Sequence, residues 1–129
     1  MSVRGSLPAL MIVALLVASS AWGQLDALKD TTPAERAKVQ TELMKTRLGL
    51  TDAQTSTVAA INEKYAERME PVIKGAENPF LKVREVRDME QAKEAELKGV
   101  LSGEQFQKFL DSKAEIRQQF DERFRTKGE

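Results

Sequence analysis

The sequence predicts an all-α chain of four helices, and three observations carry that expectation. Apolar residues recur at three- and four-residue steps along most of its length, while no stretch alternates with period two or shows strand-helix-strand spacing. Three strings, Thr32-Pro33-Ala34-Glu35, Leu50-Thr51-Asp52-Ala53-Gln54 and Leu101-Ser102-Gly103-Glu104-Gln105, have the form of a helix start: a hydroxyl cap, then a Glu or Gln three residues on that closes the box. The chain has no cysteine, so its fold stands without disulfides, a requirement that helices with their local hydrogen bonds suit.

Residues 1–23 read as an export signal. Arg4 gives a positive start, Leu7 to Ala18 form an apolar run broken only by Pro8, and Ala21 and Gly23 are the small residues a cleavage site wants. Cleavage is expected after Gly23, with a cut after Ala21 as second choice. The run is shorter than the roughly 20 apolar residues that span a bilayer, and no cysteine follows to carry a lipid, so no membrane anchor is expected. A periplasmic protein follows, with residues 24–129 as one helical domain.

The first helix starts at the Thr32 box, with Pro33 at its first position, and is expected to run to about Arg47. Val39, Leu43, Met44 and Leu48 form its stripe, and Gly49 can take the left-handed conformation that ends a helix. The second opens at Thr51 and carries Val58, Ile61, Tyr65, Met69, Val72 and Ile73, with a kink expected at Pro71 and an end near Lys74. Gly75 to Pro79 read as a loop. The third, from about Phe80 to Val100, has Val83, Val86, Met89, Leu97 and Val100. The fourth begins at Ser102 and presents Phe106, Phe109, Leu110, Ile116, Phe120 and Phe124. The short loop between the two middle helices predicts an antiparallel hairpin with the two Leu-(Thr/Ser)-x-x-Gln strings near one end. Leu101 and Phe106 can staple the second string where the first has only Thr55 opposite Leu50, so the second start is expected to be the firmer. Glu94 with Lys98 and Asp121 with Arg125 have the spacing of surface ion pairs.

Much chemistry is missing. The chain has no His and no Cys, and its single Trp, Trp22, lies in the signal. Ser56, Ser102 and Ser112 thus lack the usual base for a nucleophilic triad, and no glycine-rich phosphate loop occurs. Carboxylate pairs such as Glu63 with Glu67 and Glu90 with Glu94 have ordinary surface spacing. No enzyme and no cofactor is expected. Loss of Arg4 leaves the mature chain one cation short of the full chain's 20 Lys plus Arg, against 20 Asp plus Glu, a balance that argues against nucleic acid as partner.

Two copies of Leu-(Thr/Ser)-x-x-Gln, built from Leu50, Thr51, Gln54 and from Leu101, Ser102, Gln105, in a small exported helical chain resemble the LTxxQ-motif family, the Spy and CpxP group of periplasmic proteins. The second copy departs from the pattern in having Ser102 for Thr. Similarity to Spy implies a cradle-shaped homodimer that holds unfolding proteins under envelope stress without ATP. Similarity to CpxP implies instead an adaptor that binds and inhibits an envelope-stress sensor kinase. Metal sensing, as in ZraP-like and CnrX-like proteins, stands well behind, because imidazole and thiolate are absent, Met44, Met69 and Met89 are scattered, and only carboxylates remain for harder ions. A client or partner surface is expected at Arg84, Arg87, Lys93, Phe109 and Leu110, with Lys98 nearby. The apolar face of the fourth helix is wide for a thin bundle, and surplus apolar surface serves a dimer interface or a client.

Overall fold

The computed structural model describes residues 28–75 and 78–127, and among them helices are the only regular secondary structure. Four helices follow one another: α1 (Pro33–Leu48), α2 (Asp52–Lys74), α3 (Pro79–Val100) and α4 (Gly103–Lys127). The export signal lies outside the described residues.

Each start is written in the sequence. Thr32 Oγ1 accepts from the Glu35 N–H at 3.1 Å while Glu35 accepts from the Thr32 N–H at 3.1 Å, and Gly49 ends α1 at φ 63°, the left-handed conformation that glycine adopts without strain. The boxes at Thr51 and Ser102 close in the same way, with hydroxyl-to-backbone distances of 3.1 Å in both. The two boxes are equally complete and Leu50 and Leu101 are both buried, while Phe106, the staple residue that the second start alone has, packs against the core that holds Leu101. Asn78 caps α3 by accepting from the Phe80 N–H at 2.9 Å. α2 passes through Pro71 without a break and ends at Lys74.

The helices run antiparallel in an open array. α1 lies along α2, α2 along α3 and α4 along α1, while α3 and α4 scarcely approach one another. Met44 and Leu48 of α1, Val58, Ile61 and Tyr65 of α2, Leu97 of α3, and Phe109 and Ile116 of α4 form one apolar core with Leu50 and Leu101. The stripe of α1 differs from the expected one. Arg36, Ala37, Thr41, Met44 and Leu48 are buried against α2, and Val39 and Leu43 are half-buried on the side that α4 covers. The first half of α3 differs as well: Phe80 and Leu81 are 86% and 53% exposed, and Val83 is exposed, because this end has no α4 neighbour to pack against.

Candidate functional site

The two Leu-(Thr/Ser)-x-x-Gln strings meet. Gln54 Nε2 donates to Gln105 Oε1 at 2.7 Å, and Gln105 Nε2 donates back to Gln54 Oε1 at 3.0 Å. Each oxygen also accepts from the N–H of its own cap, Thr51 at 3.1 Å and Ser102 at 2.9 Å. The remaining amide hydrogens reach carbonyls left open at the helix end before the other string. Gln54 donates to Val100 O at 3.3 Å, and Gln105 to Leu48 O at 3.4 Å and Gly49 O at 3.5 Å. Both amides are saturated, two hydrogens given and two lone pairs filled. A capping box alone accepts Glu or Gln, but only Gln can also donate. This joint explains the repeated glutamine.

The exchange relates the halves of the chain at a spacing of 51 residues, which carries Leu50 onto Leu101, Val58 onto Phe109, Tyr65 onto Ile116, Met69 onto Phe120 and Ile73 onto Phe124. All of these except the half-buried Met69 are buried. Hairpin α1–α2 and hairpin α3–α4 are thus two versions of one unit, joined at the glutamines.

The seams of the two hairpins differ in chemistry. Between α1 and α2, Arg36 is 2% exposed. Its Nη1 donates to Thr31 O at 3.0 Å and Thr31 Oγ1 at 2.9 Å, its Nη2 to Ala66 O at 3.3 Å, and it pairs with Glu70. Burial pushes the Glu70 carboxyl up, but Lys74, 2.6 Å away, and Arg36 outweigh it and hold the group below its ordinary 4.5. Asn62, wholly buried, donates to Thr41 Oγ1 at 2.9 Å and contacts Met44 Sδ at 3.7 Å.

Between α3 and α4 long charged side chains bridge a wider gap. Arg117 pairs with Glu90 at 3.0 Å, and Lys113 pairs with Glu94 and lies 4.0 Å from Glu90. Lys93 turns beneath them and donates to Gln40 Oε1 of α1 at 3.0 Å. Burial lowers its pKa to about 8, with Glu90 and Glu94 pulling it up and Arg117 and Lys113 pushing it down. Across the α2–α3 seam Lys64 pairs with Glu96, whose hydrogen bond with Tyr65, together with burial, raises the Tyr65 hydroxyl above 10.0.

Of the residues expected on a client or partner surface, Arg84, Arg87 and Leu110 are exposed. Phe109 and Lys93 are not on that face: Phe109 is in the core, and Lys93 sits nine residues from Arg84, half a turn round the helix, facing α1. Glu94 is engaged with Lys113 rather than Lys98, which lies 6.0 Å from the Phe106 ring. The buried cluster of Arg36, Thr41, Asn62 and Glu70 is absent from the sequence expectations; Arg36 carries the one signal for it, since it falls at helical spacing with Met44 through Gln40. An open groove of about 880 Å³ runs between α1 and α4, lined by Leu43, Thr46 and charged side chains including Glu42, Arg47, Lys108 and Arg123. Among the described residues no cluster of three or more carboxylates is placed to hold a metal ion, and no helix is long and apolar enough to cross a membrane.

A family model described as Domain of unknown function (DUF4890) matches residues 23–109. No curated protein and no solved structure matches the chain.

Proposed function

The chain belongs to the DUF4890 family, and from that premise we propose that it is a periplasmic, nucleotide-independent chaperone that holds unfolding proteins on the exposed end of α3. One observation carries the proposal: Phe80, Leu81 and Val83 stand exposed beside the free-standing guanidiniums of Arg84 and Arg87. Large apolar side chains held in water next to cations are what a surface needs to catch an extended, partly apolar chain and then let it go. The resemblance of the paired glutamine strings to the LTxxQ-motif family points the same way. The match to the family model starts at residue 23, where the export signal is expected to end.

The test uses residues 24–129, purified, with an unrelated protein unfolding at equal molar ratio and no nucleotide. Suppressed aggregation supports the proposal, provided that the double variant Phe80→Ser, Leu81→Ser loses it while keeping the parent melting temperature. Full suppression by that variant sinks the surface assignment. No suppression, with selective binding to the periplasmic domain of one sensor kinase, replaces the chaperone by the inhibitory adaptor.

A further inference from the structure

The spacing that relates the two glutamine strings also relates the helices before them. On α1 the residues buried against α2 are Arg36, Ala37, Thr41, Met44 and Leu48. Fifty-one residues on, α3 carries Arg87, Asp88, Ala92, Ala95 and Gly99, and all five are exposed. A face that is interior in one hairpin is bare in the other.

The cause lies on α4. Where α2 has Asn62 and Ala66 facing α1, α4 has Lys113 and Arg117. Arg36 rests on the Ala66 carbonyl at 3.3 Å, so Arg117 in the matching place would set one guanidinium against another at Arg87. Glu90 and Glu94 hold the two α4 cations at the flank of α3 instead. The bare face keeps the cations Arg84, Arg87 and Lys98 against the carboxylates of Glu85 and Asp88, and no ion pair among the described residues involves Arg84 or Arg87.

We propose that this face of α3 is the docking site for an acidic amphipathic helix of a partner protein, seated on α3 as α2 is seated on α1. The first hairpin sets its chemistry: a small residue whose carbonyl approaches the guanidinium, and four residues later a carboxylate to take it, as Ala66 and Glu70 take Arg36. Ala95 and Gly99 stand where α1 has Met44 and Leu48, and a side chain added at Gly99 would meet nothing within 4 Å. The incoming helix therefore brings the large apolar groups itself. The site overlaps the proposed client surface at Arg84 and Arg87, but the peptide binding below does not depend on the holding of unfolded chains, which is tested at Phe80 and Leu81.

The probe is a fluorescently labelled peptide of residues 52–74, the α2 sequence with Ala66 and Glu70, titrated into residues 24–129 and followed by anisotropy. Saturable binding is expected, weakened about tenfold or more by Arg87→Glu in the protein and restored when the peptide carries Glu70→Arg. The Arg87→Glu protein keeps its melting temperature, since the side chain is exposed. Absence of binding overturns the proposal. So does binding indifferent to Arg87→Glu, which would mean that the peptide displaces α2 from α1, and so does a dimer of the protein alone that Arg87→Glu dissociates, which would give the face to a second copy.

Discussion

The α1–α2 hairpin and the α3–α4 hairpin share a capping box and a glutamine, yet one is closed by buried polar groups and the other is propped open by ion pairs. The first seam takes Arg36, Thr41 and Asn62 out of water, so each must find its partner inside the protein or lose its hydrogen bonds. The second leaves Glu90, Lys113 and Arg117 about a third exposed, where water and salt share the work of satisfying them. A common joint therefore does not dictate a common seam. Side-chain size and charge at the facing positions decide it: Met44 and Asn62 in the first hairpin, Ala95 and Lys113 in the second.

The comparison breaks most visibly at Arg36. Arg36→Ala leaves Glu70 to Lys74 alone and takes the buried donor from Thr31 and Ala66, and urea denaturation should show a loss of about 2 to 3 kcal/mol. Arg117→Ala in the open seam should cost under about 1 kcal/mol. Equal losses would mean that the two seams do not differ in kind.

The joint comes next. Gln54→Glu keeps the capping acceptor but removes both donated bonds and sets two acceptor oxygens face to face, at a cost of about 1 to 3 kcal/mol. The loss should shrink when Gln105→Ala is already present, because the partner is gone. Independent, additive losses would show that the two amides do not act as a unit. Thr51→Ala and Ser102→Ala should each cost about 1 kcal/mol, and by similar amounts, as the equal box geometries require.

The smallest effects sharpen the contrast through pH. Lys93 has a folded pKa of about 8 against an ordinary 10.5. The unfolded chain therefore binds more protons between those values, so the contribution of this group to stability rises with pH across that window. Lys93→Met should flatten the rise. Glu70 acts in the same sense at lower pH: its folded pKa lies below 4.5, so its contribution is present above that value and is lost as pH falls through the folded pKa. Acid below that value should thus loosen the first seam.

The sequence announces the helices plainly, because caps and left-handed ends are local. Thr32, Thr51, Ser102 and Gly49 each act where the spacing puts them. The stripe of α1 is harder to read, since that helix has two neighbours, and the larger apolar residues Val39 and Leu43 turn toward α4 while Arg36 and Thr41 go inside. Phe109 and Leu110 compete for one inward position, and the sequence does not rank them; Phe109 takes it. Lys93 was legible from the helix repeat alone, which sets it opposite Arg84. The pairing of Gln54 with Gln105 is not legible in either string, because a capping box is complete without a third party. Repetition at 51 residues is the only trace it leaves.

The joint at the glutamines has a further property. Each half gives the other the same kinds of group that it receives: an amide, open carbonyl oxygen at a helix end and a buried leucine. A lock of that kind fits itself. Two copies of the first hairpin carry every hydrogen-bonding group needed to close on one another about a two-fold axis. What separates them from the intact chain is bulk, since Val58 of each copy would stand where the larger Phe109 fills the core. In this sense the chain is a dimer of hairpins whose subunits are spliced end to end. The splice lets the second subunit carry a charged seam where the first has a closed one, with the same hold on its partner.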